Sequence, residues 1–394
     1  MSLHKTLPVQ SLMKGCLLDD MGNVTQYLPA DDWTNSTRDG SEGQVMVEIP
    51  QHYRKFVTDG TKRQVWLSTI PLEGYHEVPK SYVSAYQATV QRSTLKLSSV
   101  VNTDPDYRGG NNNADWDGTY RTLCGLPATN INRTNFRKYA RNRNTNTLSW
   151  NCMVYDVYKT IYWLFVVEYA NFNSQSAYNA QLTSEGFKQG GLGNGVTTID
   201  GTKWNEYNSY NPIVSCGYTD SLGNNTGEIA FNMPTEYDSA GKTIFIPRYR
   251  GIENPFGHIW HWIDGINIRI SPTEENGGDG LTKVYVCHNP EYFTDSNYEG
   301  YDYVGNEART EGYIKTHIFG EFGEIIPDVV GGGSTTFITD YHYTNISTTE
   351  TLRGLLFGGR AYYGARAGLA YARSSDAPSA AATYFGSRLC FLPR

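Results

Sequence analysis

A membrane-spanning helix needs ~20 consecutive apolar residues, and no run in this 394-residue sequence approaches that length. The longest apolar stretch inside a candidate helix, Ile161 to Val167, is flanked by Lys159 and Glu168, so membrane insertion is not expected. A basic excess is also missing. Lys and Arg number 33 against 40 Asp and Glu, for a formal charge of −7 and a pI near 5.7. That balance argues against a nucleic-acid partner, because displacing counterions from phosphates takes a concentrated basic face. Cysteines are few and scattered. Cys16, Cys124, Cys152, Cys216, Cys287 and Cys390 contain no C-x-x-C pair, so they signal neither a zinc site nor a dense disulfide framework. They read as mostly buried, reduced thiols. No G-x-S-x-G elbow and no H-E-x-x-H helix occur, and no convergent nucleophile and base stand out. The opening "MSLHKTLPVQSLMKGCLLDD" lacks the charged and then apolar pattern of a cleaved export signal.

What is present favours strands, turns and loops. Thirty Tyr, eight Trp and forty Gly accompany abundant Asn and Thr, while charged residues make up only 19%. β-Branched and aromatic residues suit pleated surfaces, and Gly and Asn suit the turns between them. Residues 1–43 are polar, end in "NSTRDGSEG" and read as an N-terminal attachment or oligomerisation segment; residues 44–394 read as one domain. "GQVMVEIPQHYRKFV" alternates with a period of two, as a half-buried strand does, until Pro50 stops it. "RQVWLSTI" is a second strand candidate. From Asn102 to Asn146 long ordered loops are expected, with a short helix around "NRTNFRKYARN". The segment "WNCMVYDVYKTIYWLFVVEYANFNSQS" lacks Gly and Pro, and its apolar residues recur at three- and four-residue steps. It is the main helix candidate, laid across a sheet. Around Trp260 and Trp262 both faces of a strand are apolar, as in a central strand, and "LTKVYVCHN" reads as another.

Three local clusters carry weaker signals. His258 and His261 lie near Asp264, but residues three apart on a strand face opposite ways, so they read as structural histidines. Asn113, Asp115, Asp117 and Gly118 resemble the start of a calcium loop, yet position twelve is Cys124 instead of a bidentate Glu, which favours an Asx-stabilised turn. "GGLGNG" at Gly190 to Gly195 has neither phosphate-cradle spacing, so it reads as a turn. No metal and no cofactor are expected.

The segment between Phe357 and Cys390 obeys a different rule. It contains no Lys, Glu, Gln, His, Trp, Met or Asn, although Asn and Glu are common elsewhere. The absence of Lys, Glu, Gln, Trp and Met follows if the exposed positions were AAC or AAT codons with randomised adenines. Changes at the first two codon positions reach Tyr, Arg, Ser, Asp, Ala and Gly, among others, but never Lys, Glu, Gln, Trp or Met. Arg360, Tyr362, Tyr363, Arg366, Tyr371, Arg373, Ser375, Asp376, Ala380, Ala382 and Tyr384 fit that rule, set among Ala, Gly and Ser. Tyr provides amphipathic surface with few rotors and Arg a planar donor fork, which is the composition of a binding surface. Trp260 and Trp262, with Leu355, Leu356, Leu369 and Leu389, are the candidate scaffold beneath it.

The closing segment "GLLFGGRAYYGARAGLAYARSSDAPSAAATYFGSRLCF", with G-S-R-L at Gly386 to Leu389, resembles the variable proteins of diversity-generating retroelements. "RGIENPFGHIWHWIDGINI" is similar to that family's G-N-x-W-E-W strand, with His258 and His261 replacing Asn and Glu. "GQVMVEIPQHYRKF" looks like the opening strand of phage tail proteins of this type. The resemblance implies an α+β, C-type lectin-like (formylglycine-generating-enzyme-like) fold, β-rich with one or two helices. It further implies a phage tail-fibre receptor-binding protein whose 357–390 region is diversified by adenine mutagenesis to bind a bacterial surface protein or glycan. It places the chain in the virion, or alternatively on a bacterial cell surface, beside tail-fibre assembly proteins and as a homotrimer. The formylglycine enzymes use cysteine chemistry, and Cys390 has no cysteine near it in sequence. The fold is therefore carried over and catalysis is not. Alternatives are a fixed structural tail protein or, less well supported, an enzyme on the same fold.

Overall fold

The strand expected at "GQVMVEI" forms at Gln44–Ile49 and ends before Pro50, but all six of its residues are buried. Its neighbours explain the difference, since it lies inside a six-stranded antiparallel sheet. In order, that sheet contains Trp150–Cys152, Leu389–Phe391, Ser81–Ser84, Gln44–Ile49, Lys14–Leu18 and Val24–Tyr27. The structure is a computed structural model and describes residues 3–60, 62–193 and 195–393.

The second sheet is larger and mixed. Its order is Asp302–Asn306, Thr282–Val286, Trp260–Ile270, Thr351–Gly358, Gly368–Arg373, Tyr341–Tyr343, Gly312–Phe319 and Glu324–Val330, and Phe385–Gly386 pairs in parallel with Trp260–Ile270. Trp260–Ile270 is buried at ten of eleven positions, in keeping with its two apolar faces. A smaller three-stranded sheet joins Gly227–Asn232, Thr243–Tyr249 and Ile252–Glu253.

Among the described residues three α-helices are placed among these sheets: α1 (Arg133–Arg141), α2 (Tyr155–Tyr169) and α3 (Gly201–Asn208). Short polar caps start two of them. Asn132 accepts the Asn135 N–H at 2.9 Å to open α1, and Asp200 accepts the Lys203 N–H at 2.9 Å to open α3. The stepped pattern in α2 predicts one buried face, yet thirteen of its fifteen residues are buried. A helix apolar all round belongs inside the core. Tyr158 stacks on Phe357 with ring centroids 4.7 Å apart, and Phe165 meets Tyr249 edge-on at 5.9 Å. Two buried charges of α2 are paired: Lys159 reaches Glu324 at 2.9 Å, and Glu168 accepts from Tyr249 at 3.0 Å and from Arg250.

The leading residues, read as an attachment segment, share this core. Val9, Met13, Cys16, Leu17, Leu18, Leu28 and Trp33 belong to the same hydrophobic cluster as α2 and the last strand.

Helix α1 is locked to the central strand by charge. Arg137 makes a two-pronged contact with Asp264, at 2.5 and 2.8 Å, and Arg133 donates to Ile266 O at 2.7 Å and Asn267 Oδ1 at 2.6 Å. Asp295 completes the network, held well below the usual carboxylate range by the two guanidinium groups against its own burial. Removing one member of a buried charge network strands the others. Asp264→Ala is therefore expected to cost ~3–5 kcal/mol, read as a lower urea midpoint, and an unchanged midpoint would show that the network is dispensable.

Candidate ligand-binding surface

The C-terminal segment leaves the large sheet and returns to it. Thr351–Gly358 and Gly368–Arg373 pair antiparallel, with Phe357 opposite Ala372 and Gly358 opposite Gly368, and a loop spans the residues between. Gly359 turns with φ +84° where a Cβ would come within 2.9 Å of Ala367 Cβ, so only glycine fits.

Residues outside the segment hold its backbone. Ala361 N–H donates to His258 O at 3.1 Å, and Ala361 O accepts from Ile199 N–H at 3.1 Å. Gln175 donates to Ala365 O at 2.7 Å, Ser174 Oγ accepts from Leu369 N–H at 2.9 Å, and Asp340 accepts from Ala370 N–H at 2.6 Å. Further along, Pro378 O accepts from Arg133 N–H, Ala382 O from Asn130 N–H and Tyr384 O from Trp260 N–H. The main chain is thus fixed through atoms that do not depend on the segment's own side chains. It also lies over a seam: Phe357, Leu369 and Tyr371 join the main core, while Ala361 joins a second cluster built on Trp204, Ile246 and Met233.

On this frame the side chains form one aromatic and arginine network. Tyr362 and Tyr363 lie 5.1 Å apart, Tyr363 and Tyr371 5.4 Å, and Tyr371 and Trp260 4.6 Å. The Arg360 guanidinium sits over Tyr384 at 3.8 Å and Tyr362 at 4.3 Å. Arg373 pairs with Asp376 at 2.5 Å and lies 5.8 Å from Trp260, and Ser375 donates to the same carboxylate at 2.7 Å. Arg366 is exposed and covers Tyr341 at 4.7 Å. Tyr362, Tyr363, Arg373, Ser375, Asp376, Ala380, Ala382 and Tyr384 are half-buried, with part of each open to solvent.

Two of the eleven chosen positions differ from the expectation of a solvent-facing side chain. Tyr371 is 1% exposed, roofed by Tyr363 and Tyr341 above Trp260, and burial pushes its phenol pKa far up. Arg360 is 8% exposed beneath its tyrosines. Cover on both faces explains Tyr371: five of the six residues of Gly368–Arg373 are buried, so alternation along this inner strand does not bring a side chain to solvent. Of the scaffold set, Trp260, Trp262, Leu355, Leu356 and Leu389 are fully buried and Leu369 is 1% exposed.

Sequence reasoning missed the rim. Tyr210 lies 6.0 Å from Tyr384, Tyr341 5.8 Å from Tyr371, and Tyr343 lies under Arg373 at 5.1 Å. The period-two Tyr341-His342-Tyr343 was the available signal for the last two. It also missed two buried carboxyls beneath Gly368–Arg373. Among the described residues no Lys or Arg pairs with Asp340 or Glu307, the His342 ring that lies 3.9 Å from Glu307 is held neutral by burial, and burial raises each carboxyl to about 8. Glu307 accepts from Ser374 Oγ at 2.6 Å.

The histidines converge, contrary to the strand argument, because His258 precedes the strand in a turn. The Gln87 side chain bridges them: its oxygen accepts from His258 Nδ1 at 3.1 Å and its nitrogen donates to His261 Nε2 at 3.0 Å. Burial lowers His258 to about 3, so the pair is neutral and structural. Asp117 is gripped by Arg108, and Asn113 accepts from Asp115 N–H at 3.1 Å, an Asx turn. No cluster of three or more His, Cys, Asp or Glu among the described residues could hold a metal ion. Nor is any described helix long and apolar enough to cross a membrane. Cys124 is half-buried and the other five thiols are buried.

Fold and site together define a β-rich protein with few helices that presents tyrosine and arginine on a fixed backbone. No family model and no curated protein matches the sequence. Among solved structures, PvdO from Pseudomonas aeruginosa is similar over 90% of this chain and 97% of its own, at 11% identity and a TM-score of 0.35. The Major Tropism Determinant U1 variant is similar over 87% of this chain and 72% of its own, at 8% identity and a TM-score of 0.24. The P3c variant covers 89% and 81%, at 9% identity and a TM-score of 0.24. Likeness at this level fixes neither a fold family nor an activity.

Proposed function

We propose that this chain is a receptor-binding protein of a phage tail fibre, on a C-type lectin-like scaffold, and that it acts by binding and not by catalysis. Its C-terminal surface is diversified through adenine mutagenesis and recognises a ligand on the bacterial surface. One observation carries the reading. The segment that excludes Lys, Glu, Gln, Trp and Met is the one whose backbone is held by Ser174, Gln175, Asp340, Trp260 and Arg133 from outside it. Such a backbone tolerates exchange of surface side chains because its position does not depend on them. Tyr362, Tyr363, Arg366, Arg373 and Tyr384 are the contact residues in this reading, with Tyr371 as their buried support. The protein works in the virion as a homotrimer.

Codon-by-codon sequencing of the 3′ end of the gene in its native population tests this. Substitutions concentrated at the eleven positions, with Lys, Glu, Gln, Trp and Met absent, are expected. A uniform 3′ end would overturn diversification and favour a fixed structural tail protein.

A further inference from the structure

Among the other buried arginines of the described residues, Arg54 donates to the Thr160 hydroxyl with the Asp156 and Glu324 carboxylates acting on it through space, and the rest are matched to anions or carbonyls. Arg133 and Arg137 share Asp295, Arg248 meets Asp220 at 3.3 Å, and Arg388 donates to the carbonyls of Ser84, Ala85, Glu253 and Asn254. Arg360 is different. It is 8% exposed, yet among the described residues no carboxylate pairs with it, its hydrogen-bond partner is the Tyr362 hydroxyl, and its Nε is buried with no acceptor. Four tyrosine rings surround the guanidinium, those of Tyr384 at 3.8 Å, Tyr362 at 4.3 Å, Tyr363 at 5.0 Å and Tyr210 at 5.9 Å. Ring faces stabilise a cation without supplying charge, so they leave the donor fork unneutralised. An unpaired, desolvated guanidinium is a strong acceptor-seeking group, because its hydrogen bonds to a charged oxygen are the stronger kind.

We propose that Arg360 and its tyrosine cage form an anion subsite for a carboxylate-bearing sugar ring, with Arg360 as the anchor. The inference rests on the binding-surface reading above and names the ligand chemistry of that surface. A pyranose offers CH faces for Tyr362, Tyr363 and Tyr384, hydroxyls for their phenol oxygens, and one carboxylate for the guanidinium. An acidic amino-acid side chain supplies the carboxylate alone and leaves the ring faces and phenols uncovered. The segment's charge points the same way: it carries four arginines, Arg360, Arg366, Arg373 and Arg388, against a single acid, Asp376, in a chain whose net charge is −7.

The test is titration of the purified protein with glucuronate, glucose, acetate and glutamate, followed by NMR or calorimetry. Glucuronate is expected to bind at least tenfold more tightly than glucose, acetate or glutamate. In Arg360→Gln that preference over glucose disappears, and Arg360→Lys, which keeps the charge and loses the fork, retains part of it. Melting curves for both variants show that the fold persists. Equal binding of glucuronate and glucose would overturn the anchor, and glutamate binding as well as glucuronate would overturn the sugar in favour of an acidic peptide. The same variants in a host-cell adhesion assay separate the two readings. Full adhesion by Arg360→Gln removes the anion subsite and leaves the receptor-binding surface standing; glucuronate preference without adhesion to any host removes the latter alone.

Discussion

Tyr371→Ala is expected to destabilise the fold by ~3–5 kcal/mol, the range for truncating a large buried ring. The side chain fills the space between Trp260, Tyr363 and Tyr341, with ring centroids 4.6, 5.4 and 5.8 Å away. Tyr371→Phe keeps that volume and should remain close to the parent. By contrast, Arg366→Ala removes an exposed side chain and is expected to shift stability by less than ~1 kcal/mol. Urea unfolding of the three variants checks the ranking. Equal midpoints for Tyr371→Ala and Arg366→Ala would return Tyr371 to the contact surface.

The second large effect is on pH dependence. Asp340 and Glu307 are raised by burial from 3.8 and 4.5 to about 8. The folded chain therefore holds two protons that the unfolded chain releases near pH 4. Their contribution to stability is fully present below the unfolded values and is lost as pH rises to about 8. The expected loss across that window is on the order of 2–5 kcal/mol for each carboxyl. Asp340→Asn preserves an acceptor for the Ala370 N–H and cannot titrate, so its stability should fall less between pH 5 and 8 than the parent's. Parallel curves for the two proteins would mean that Asp340 does not carry this proton. Histidines lowered by burial, such as His258 and His342, act in the opposite direction below about 6.5, but both proteins contain them, so their effect cancels in the comparison.

Local chemistry was legible in the sequence where a period or a cap determines it. The strands at Gln44–Ile49, Lys62–Ser68 and Thr282–Val286 and the short helix after Asn132 follow from alternation and capping. What depends on partners was not legible. The covering of α2 on every side, the buried state of both faces of Gly368–Arg373, and the folding of Lys14–Leu18 into the first sheet all come from segments far away in sequence. For the candidate site, composition marked the segment, but its period could not separate Tyr371 from Tyr362. Both are tyrosines among small residues, and only the placement of Tyr371 on a strand covered on both faces, with Tyr362 in the loop before it, decides which one is buried. Tyr210 was out of reach for the same reason, since it joins Arg360 across 150 residues of chain.

The strand Leu389–Phe391 lies between Trp150–Cys152 and Ser81–Ser84, and it is translated after everything the diversification would rewrite. The six-stranded sheet can close only when a ribosome has read through the whole 357–390 stretch. Any nonsense codon introduced there would remove the strand that joins Trp150–Cys152 to the rest of that sheet instead of leaving a shorter tail. Codons that keep a pyrimidine in their third place cannot become stops, whatever happens to their adenines. Mutagenesis confined to AAC and AAT would then vary the surface freely while every product still reached its last strand.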